Sequence, residues 1–70
     1  MNDQRVWRLR KRHQHIDAVI SRGGDRRVLL EFVVNGRHVP AGRWATRAQA
    51  IAAATERRHD LERAGWSTHW

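Results

Sequence analysis

The segment RVLLEFVVNGRHVP, residues 27–40, contains two apolar runs joined by an Asn-Gly pair. The pair at 35–36 tolerates the positive φ angles that a two-residue type I′ hairpin turn requires at both positions. Apolar side chains alternate along the run before the turn, as they do in a strand with one buried face. The segment therefore predicts a β-hairpin with strands at about 27–34 and 37–44. Pro40 lacks an N–H donor, which favours an edge position for the second strand.

Two further strands are predicted before this hairpin. A glycine pair at 23–24 follows an alternating apolar pattern at 15–21, and glycine adopts turn conformations without a Cβ penalty. Trp7 and Leu9 alternate with arginines, which predicts a first strand at about 5–11. All of these strands present one apolar face, as expected for an antiparallel meander.

The clearest helix signal lies near the C-terminal end. Thr46 and Gln49 match a capping box, in which each side chain accepts a hydrogen bond from the other residue's backbone N–H. Strong helix formers follow without glycine or proline, until Gly65 and Trp66 match the Schellman arrangement of a helix end. The sequence predicts a helix over 47–64 and an α+β fold, an antiparallel β-meander of three to four strands packed against one C-terminal α-helix.

Length and charge limit the classes to which this protein can belong. Seventy residues make one small domain, 1–70. Fourteen Lys and Arg against seven Asp and Glu give a net charge of +7, which favours a polyanion partner, nucleic acid first and an acidic protein second. Thirteen of these cations are arginine and nine residues are alanine, a composition that GC-rich coding alone could produce. The placement of the charges along the chain must therefore show whether the basic excess is functional. Residues 46–65 contain four cations and three anions, and the rest of the chain contains ten and four.

Other classes of function find little support among the residue types. The chain has no cysteine, which excludes a disulfide or a thiolate metal site and is compatible with the reducing cytoplasm, where we expect the protein. No apolar run is long enough to span a bilayer, and without an amphipathic basic helix we expect no membrane partner. His13 and His15 share one face of an extended segment, but the other histidines are scattered, so we expect no metal or other cofactor. Without a nucleophile beside a base or a Gly-rich phosphate loop, we expect no enzyme activity.

The first strand is predicted to present a row of positive charge. Arg8, Arg10 and Arg12 alternate with the apolar side chains and point away from the core, about 6.5–7 Å apart. That spacing is close to the distance between successive phosphates along a nucleic-acid strand. Because one helix covers one face of the sheet, the other face stays open, and we expect it to collect Arg8, Arg10, Arg12, His15, Asp17, Val19, Leu29, Glu31, Val33 and His38. Alternatively, these arginines belong to a solvated edge strand and discourage edge-to-edge aggregation.

Three segments suggest a family: WRLRKR at 7–12, HIDAVISR at 15–22, and RWATRAQAIAAATERRHDLERAG at 43–65. They resemble the Arg-rich first strand, the second strand and the strand-to-helix element of AP2-type DNA-binding domains and of the related arm-binding domains of tyrosine recombinases. The resemblance implies a three-stranded antiparallel sheet backed by a helix, with the open face of the sheet in the major groove of DNA. The hairpin at 35–36 adds a strand to that arrangement.

By position, the resemblance implies that Arg8, Arg10 and Arg12 contact bases and phosphates. Arg22 and Arg26 or Arg27 would add contacts to the nucleic-acid backbone. Lys11 lies within the same basic segment. The full set of predicted nucleic-acid-binding residues is therefore Arg8, Arg10, Lys11, Arg12, Arg22, Arg26 and Arg27.

The sequence thus predicts a small, basic, non-catalytic domain that binds nucleic acid through an arginine-rich open sheet face. Duplex DNA is favoured over RNA or single strands because stacking on single-stranded bases needs aromatic side chains on the basic face. The alternative is a protein–protein interaction module, an accessory subunit or a small phage- or plasmid-type inhibitor, which uses the same face to dock on an acidic protein or to form a homodimer. The aliphatic side chains of Val19, Leu29 and Val33 motivate this alternative.

Overall fold

The computed structural model describes residues 3–68 and shows one open sheet of four antiparallel strands followed by one helix. The elements are β1 (Gln4–Lys11), β2 (Gln14–Arg22), β3 (Val28–Val34), β4 (Arg37–Trp44) and α1 (Arg47–Arg63). The strands lie in the sheet in chain order. The predicted α+β meander with a C-terminal helix is therefore confirmed, with all four strands present. Residues 1–2 and 69–70 of the predicted domain lie outside the described part of the chain.

Tight turns join the strands at one end of the sheet. Asn35 and Gly36 have φ angles of 53° and 87°, as a type I′ turn requires. The Asn35 N–H donates to the His15 carbonyl at 3.0 Å, and its side-chain oxygen accepts from the His15 N–H at 2.9 Å. Arg12 and His13 form the other turn, between β1 and β2. The ladder between β2 and β3 thus extends into the turn that follows β3.

A bulge in β1 changes which side chains face the helix. Arg5 lies opposite Val19 and Trp7 lies opposite Ala18, so Val6 is an extra residue in β1. Successive side chains of a strand point to opposite faces, and an extra residue reverses that alternation. Val6 packs against the core together with Trp7. Arg5, although its number has the same parity as that of Trp7, is consequently placed on the opposite face.

A second bulge lies in β4. Leu30 pairs with Gly42 and Glu31 pairs with Pro40, which leaves Ala41 as the extra residue. Gly42 has a φ of 149°, and a Cβ placed there would lie 2.8 Å from the Trp44 ring. Only glycine therefore fits beneath this indole. Beyond the bulge, Trp44 packs against the core.

The core lies between the sheet and α1. Its buried residues are Trp7, Leu9, Ala18, Ile20, Leu30, Ala50 and Ala54. The helix contributes only Ala50 and Ala54 to this set, so it approaches the sheet closely and the strands supply the bulk. The Trp7 indole N–H donates to the Ala54 carbonyl at 2.8 Å, and its ring lies 5.9 Å from that of Phe32. Trp7 thus connects the first strand to the middle of the helix.

Both ends of α1 have the hydrogen bonds that the sequence predicts. The Gln49 N–H donates to the Thr46 hydroxyl at 3.2 Å, and the Thr46 N–H donates to the Gln49 side-chain oxygen at 3.3 Å. At the other end, the Trp66 N–H donates to the Leu61 carbonyl at 3.0 Å, the 6→1 bond of a Schellman motif. Among residues 3–68, no helix is long and apolar enough to cross a membrane.

The chain beyond α1 returns to the sheet at β1. The Arg10 N–H donates to the Ser67 carbonyl at 2.8 Å, and the Ser67 N–H donates to the Arg10 carbonyl at 3.0 Å. This pair of bonds satisfies backbone groups on the outer side of β1. Unpaired strand edges can pair with strands of other chains. The short bridge blocks such pairing at Arg10.

Replacing Thr46 by Ala should lower the free energy of unfolding by about 1 kcal/mol, since the Gln49 N–H then loses its acceptor. Thr46→Ser retains the hydroxyl and should stay close to the wild type. Urea denaturation followed by circular dichroism measures both values. Equal stability of the Ala and Ser variants would show that the capping box does not stabilise this helix.

Candidate nucleic-acid interface

We call the sheet face turned away from α1 the open face. Strand pairing and alternation assign the following residues to it: Arg5, Arg8, Arg10, His15, Asp17, Val19, Ser21, Leu29, Glu31, Val33, His38, Pro40 and Arg43. Four arginines and two carboxylates give this set a net charge of +2 with neutral histidines. The face is therefore positive, although much less so than the whole chain.

The cations of the open face lie on the outer strands. Arg5, Arg8 and Arg10 belong to β1 and Arg43 belongs to β4. Both carboxylates belong to the inner strands β2 and β3. Positive charge thus lies toward the borders of the face, where long side chains can reach past the edge of the sheet.

Arg8 and Asp17 form a bidentate ion pair on the open face. They lie opposite each other in β1 and β2, and the guanidinium donates twice, from Nε to one carboxylate oxygen at 2.7 Å and from Nη2 to the other at 2.8 Å. The hydrogen bond from Arg8 lowers the pKa of Asp17, and the nearby charges of Arg8 and Arg5 add to that effect. The same hydrogen bond raises the pKa of Arg8. The predicted position of Arg8 on the open face is thus observed, but with a carboxylate beside it.

Arg10 also lies on the open face, whereas Arg12 does not continue the row. The Arg10 Nε–H donates to the Arg12 carbonyl at 3.2 Å. Arg12 itself has a φ of 58° and lies in the turn after β1. The expectation that Arg12 extends the alternation is therefore wrong, because the positive φ of the turn takes its side chain out of the strand pattern.

Lys11 belongs to the opposite side of the sheet. It follows Leu9 in the alternation of β1, and its Nζ donates to the Ala64 carbonyl at 2.8 Å, just after α1. Cations stabilise the C-terminal end of a helix because the last carbonyls are left without intrahelical partners. The ammonium group of Lys11 therefore holds the helix end and does not lie on the open face, and its contact with nucleic acid stays a prediction.

The remaining predicted cations lie at the far end of the sheet from the Arg12 turn. Arg22 lies opposite Val28 on the helix side and lines a shallow cleft with Arg47. Arg26, with a φ of 68°, and Arg27 belong to the loop between β2 and β3. The structure thus does not bring the seven predicted residues to one surface, and only Arg8 and Arg10 lie on the open face.

The far loop is held by Asp25. Its carboxylate accepts from the Arg27 N–H at 3.1 Å and from the Arg43 side chain at 3.3 Å. The backbone hydrogen bond from Arg27 lowers the pKa of Asp25, and the charge of Arg43 adds to the effect. Arg43 is therefore placed between the open face and the loop, with part of its charge offset by Asp25.

Arg5 and Arg43 are the open-face cations that sequence reasoning missed. Simple alternation puts Arg5 on the side of Trp7, and a hairpin without a bulge puts Arg43 on the helix side. Each lies beyond a bulge that reverses the pattern. The only signals in the sequence were Val6, an apolar residue next to Trp7, and the Pro-Ala-Gly run at 40–42.

The histidines of the open face do not form a metal site among the described residues. The Glu31 carboxylate lies 2.7 Å from Nδ1 of His38. His15 lies in β2, and His13 lies in the turn before it. Within residues 3–68, no group of three His, Asp or Glu side chains is arranged to hold a metal ion.

Comparison with known proteins gives no match to this chain among protein-family models, curated proteins or solved structures. The likeness to AP2-type and arm-binding domains therefore stays a prediction.

Replacing Lys11 by Met should lower the free energy of unfolding by about 0.5–1 kcal/mol, because the variant keeps most of the aliphatic stem but loses the cation at the helix end. Arg12→Gln, a charge removal at the next residue, should change it by less than about 0.5 kcal/mol. Chemical denaturation compares the two variants. A larger loss for Arg12→Gln than for Lys11→Met would contradict the assigned role of Lys11.

The Arg8–Asp17 pair should make stability depend on acid pH. Because the folded-state pKa of Asp17 is lowered from its ordinary 3.8, the pair stabilises the fold above that value, and the contribution is lost as pH falls through the folded-state pKa. The difference in unfolding free energy between wild type and Asp17→Asn should thus be full near neutral pH and shrink below the ordinary pKa. Denaturation series at several pH values measure it. A difference that does not vary with pH would exclude the pair as its source.

Proposed function

We propose that the protein is a small, non-catalytic domain that binds duplex DNA through the open face of its sheet. The observation that supports this most is the alignment of Arg5, Arg8 and Arg10 along one side of β1. Arg8 and Arg10 are two residues apart, and the extra residue at the bulge gives Arg5 and Arg8 the same spacing along the sheet. This spacing is about 6.5–7 Å, close to the separation of successive phosphates. A strand with this pattern can contact several phosphates of one nucleic-acid strand together.

The energetics of such binding come mainly from counterion release. Each phosphate contacted by an arginine frees a condensed cation, so affinity falls steeply with salt. Asp17 and Glu31 oppose this attraction from the inner strands, but the arginines lie nearer the borders of the face. Phosphate contacts at the border of the sheet are therefore favoured over contacts at its centre.

The positions of the aromatic residues favour a duplex over single strands. Trp7, Phe32, Trp44 and Trp66 all belong to the core or pack against it. Among the described residues, no aromatic ring other than imidazole lies on the open face. Stacking of unpaired bases requires such rings, so the described surface suits a duplex better.

Protein–protein interaction is the second candidate function. Val19, Leu29 and Val33 share the open face with the charges, and aliphatic side chains on an uncovered sheet can support a homodimer or docking of an acidic protein. All three are half-buried by their neighbours, which reduces the apolar area that they offer. Sedimentation at tens of micromolar separates the candidates: a tight dimer that does not bind DNA would favour this second function.

Fluorescence anisotropy with duplex DNA, single-stranded DNA and RNA at several salt concentrations tests the proposal. We expect the tightest binding to the duplex and, for about 4–5 phosphates, a slope of log K against log salt near −4. Arg5→Gln with Arg10→Gln should reduce the steepness of that slope by about 2 because two phosphate contacts are removed.

The matched control is Arg47→Gln with Arg63→Gln, which removes the same charge from α1. This variant should keep the wild-type slope. If both double variants weaken binding equally, attraction is due to net charge alone and the open face is not the binding surface. If no duplex binding is detectable at low salt, the proposed function is wrong.

A further inference from the structure

The position of Asp17 is unexpected for a surface that binds phosphates. Asp17 lies in the middle of β2, on the open face, and opposes Arg8 directly across the strand pair. Its side chain is only 15% exposed, so the carboxylate is held in place by its neighbours. A fixed negative charge at this point weakens the attraction of any polyanion. Its presence therefore calls for a role other than adding affinity.

The geometry of the pair shows what Asp17 does to Arg8. The two hydrogen bonds, at 2.7 and 2.8 Å, come from Nε and Nη2 of the guanidinium and end on the two oxygens of the carboxylate. This bidentate arrangement restricts both the position and the plane of the guanidinium. Nη1 takes part in neither of these two hydrogen bonds, and the side chain is 40% exposed. Arg8 is thus held as an oriented planar donor.

An oriented guanidinium suits a base edge more than it suits a phosphate. In the major groove, guanine presents N7 and O6 as two adjacent acceptors, and arginine binds them with two parallel hydrogen bonds. That contact needs a defined plane and distance, and holding the side chain beforehand reduces the entropy lost on binding. Phosphates accept hydrogen bonds over a wide range of directions, so a phosphate contact gains little from such restraint.

We propose that Asp17 is a positioning residue that orients Arg8 toward the N7 and O6 acceptors of a guanine, so that the domain discriminates between duplex sequences. This inference rests on the proposed function and adds specificity to it. Asp17 lowers the overall attraction for DNA and raises the selectivity for guanine at the position that Arg8 contacts. The other arginines of β1 supply the salt-dependent affinity.

Glu31 provides a matched control on the same face. It is the other carboxylate of the open face, and its nearest partner is His38 at 2.7 Å rather than an arginine. Glu31→Gln and Asp17→Asn remove the same charge and retain a similar shape. Only Asp17→Asn places an amide N–H₂ against one of the Arg8 donors and so breaks the bidentate pair.

The test begins with selection of bound duplexes from a pool with a randomised central segment, using wild type, Asp17→Asn and Glu31→Gln. The best wild-type duplex is then compared with a copy in which 7-deazaguanine replaces each selected guanine in turn. This analogue keeps Watson–Crick pairing but lacks the N7 acceptor. Circular dichroism checks that each variant is folded, and Asp17→Ala serves as a second variant that cannot reorient an amide.

We expect wild type and Glu31→Gln to lose about tenfold in affinity at one 7-deazaguanine position, the scale of one bidentate arginine–guanine contact. Asp17→Asn and Asp17→Ala should lose less than about threefold there. Both carboxylate removals should raise affinity for the random pool by about twofold, as one screened charge would.

Several outcomes would overturn the inference. They are salt-dependent binding without guanine selection by the wild type, an unchanged 7-deazaguanine effect in both Asp17 variants, and an equal loss of affinity for all duplexes in those variants. The first of these leaves the proposed function intact. Absence of any duplex binding by the wild type overturns both proposals.

Discussion

The structure depends on the contact between Trp7 and the alanine-lined side of α1. The indole is almost fully buried, and its N–H donates to the Ala54 carbonyl in the middle of the helix. Because alternate residues of a strand point to opposite faces, burial of Trp7 and Leu9 on the helix side forces Arg8 and Arg10 to the other. The same alternation in β1 therefore both fills the core and places positive charge on the open face.

The charges of the domain are divided among several tasks. Lys11 holds the end of α1, and Asp25 joins Arg43 to the loop between β2 and β3. Arg8 is held by Asp17. A net charge of +7 for the chain thus corresponds to a much smaller excess on the open face. Each of these cations is held by a different hydrogen-bond partner and so has a different role. The total charge alone therefore does not identify a binding surface.

Local sequence signals predicted most of the fold because each acts within a few residues. The turn at 35–36 and the capping box at Thr46 depend on φ preferences and on short-range hydrogen bonds. The site was predicted less well. Arg5 was missed because its side of the sheet depends on the bulge at Val6. The role of Lys11 was not foreseen because its partner is a helix end more than fifty residues away along the chain.

The sequence by itself determined the order and type of the elements, their approximate ends, and the presence of one apolar sheet face, since these follow from alternation, turn chemistry and helix capping. The tertiary structure alone decided which arginines share the open face. The bulges in β1 and β4 reverse alternation where Val6 and Trp7 both pack against the core and where Trp44 lies over Gly42. Packing against α1 thus sets the side of the sheet on which each cation lies. The alternation of residues along one strand does not predict that side.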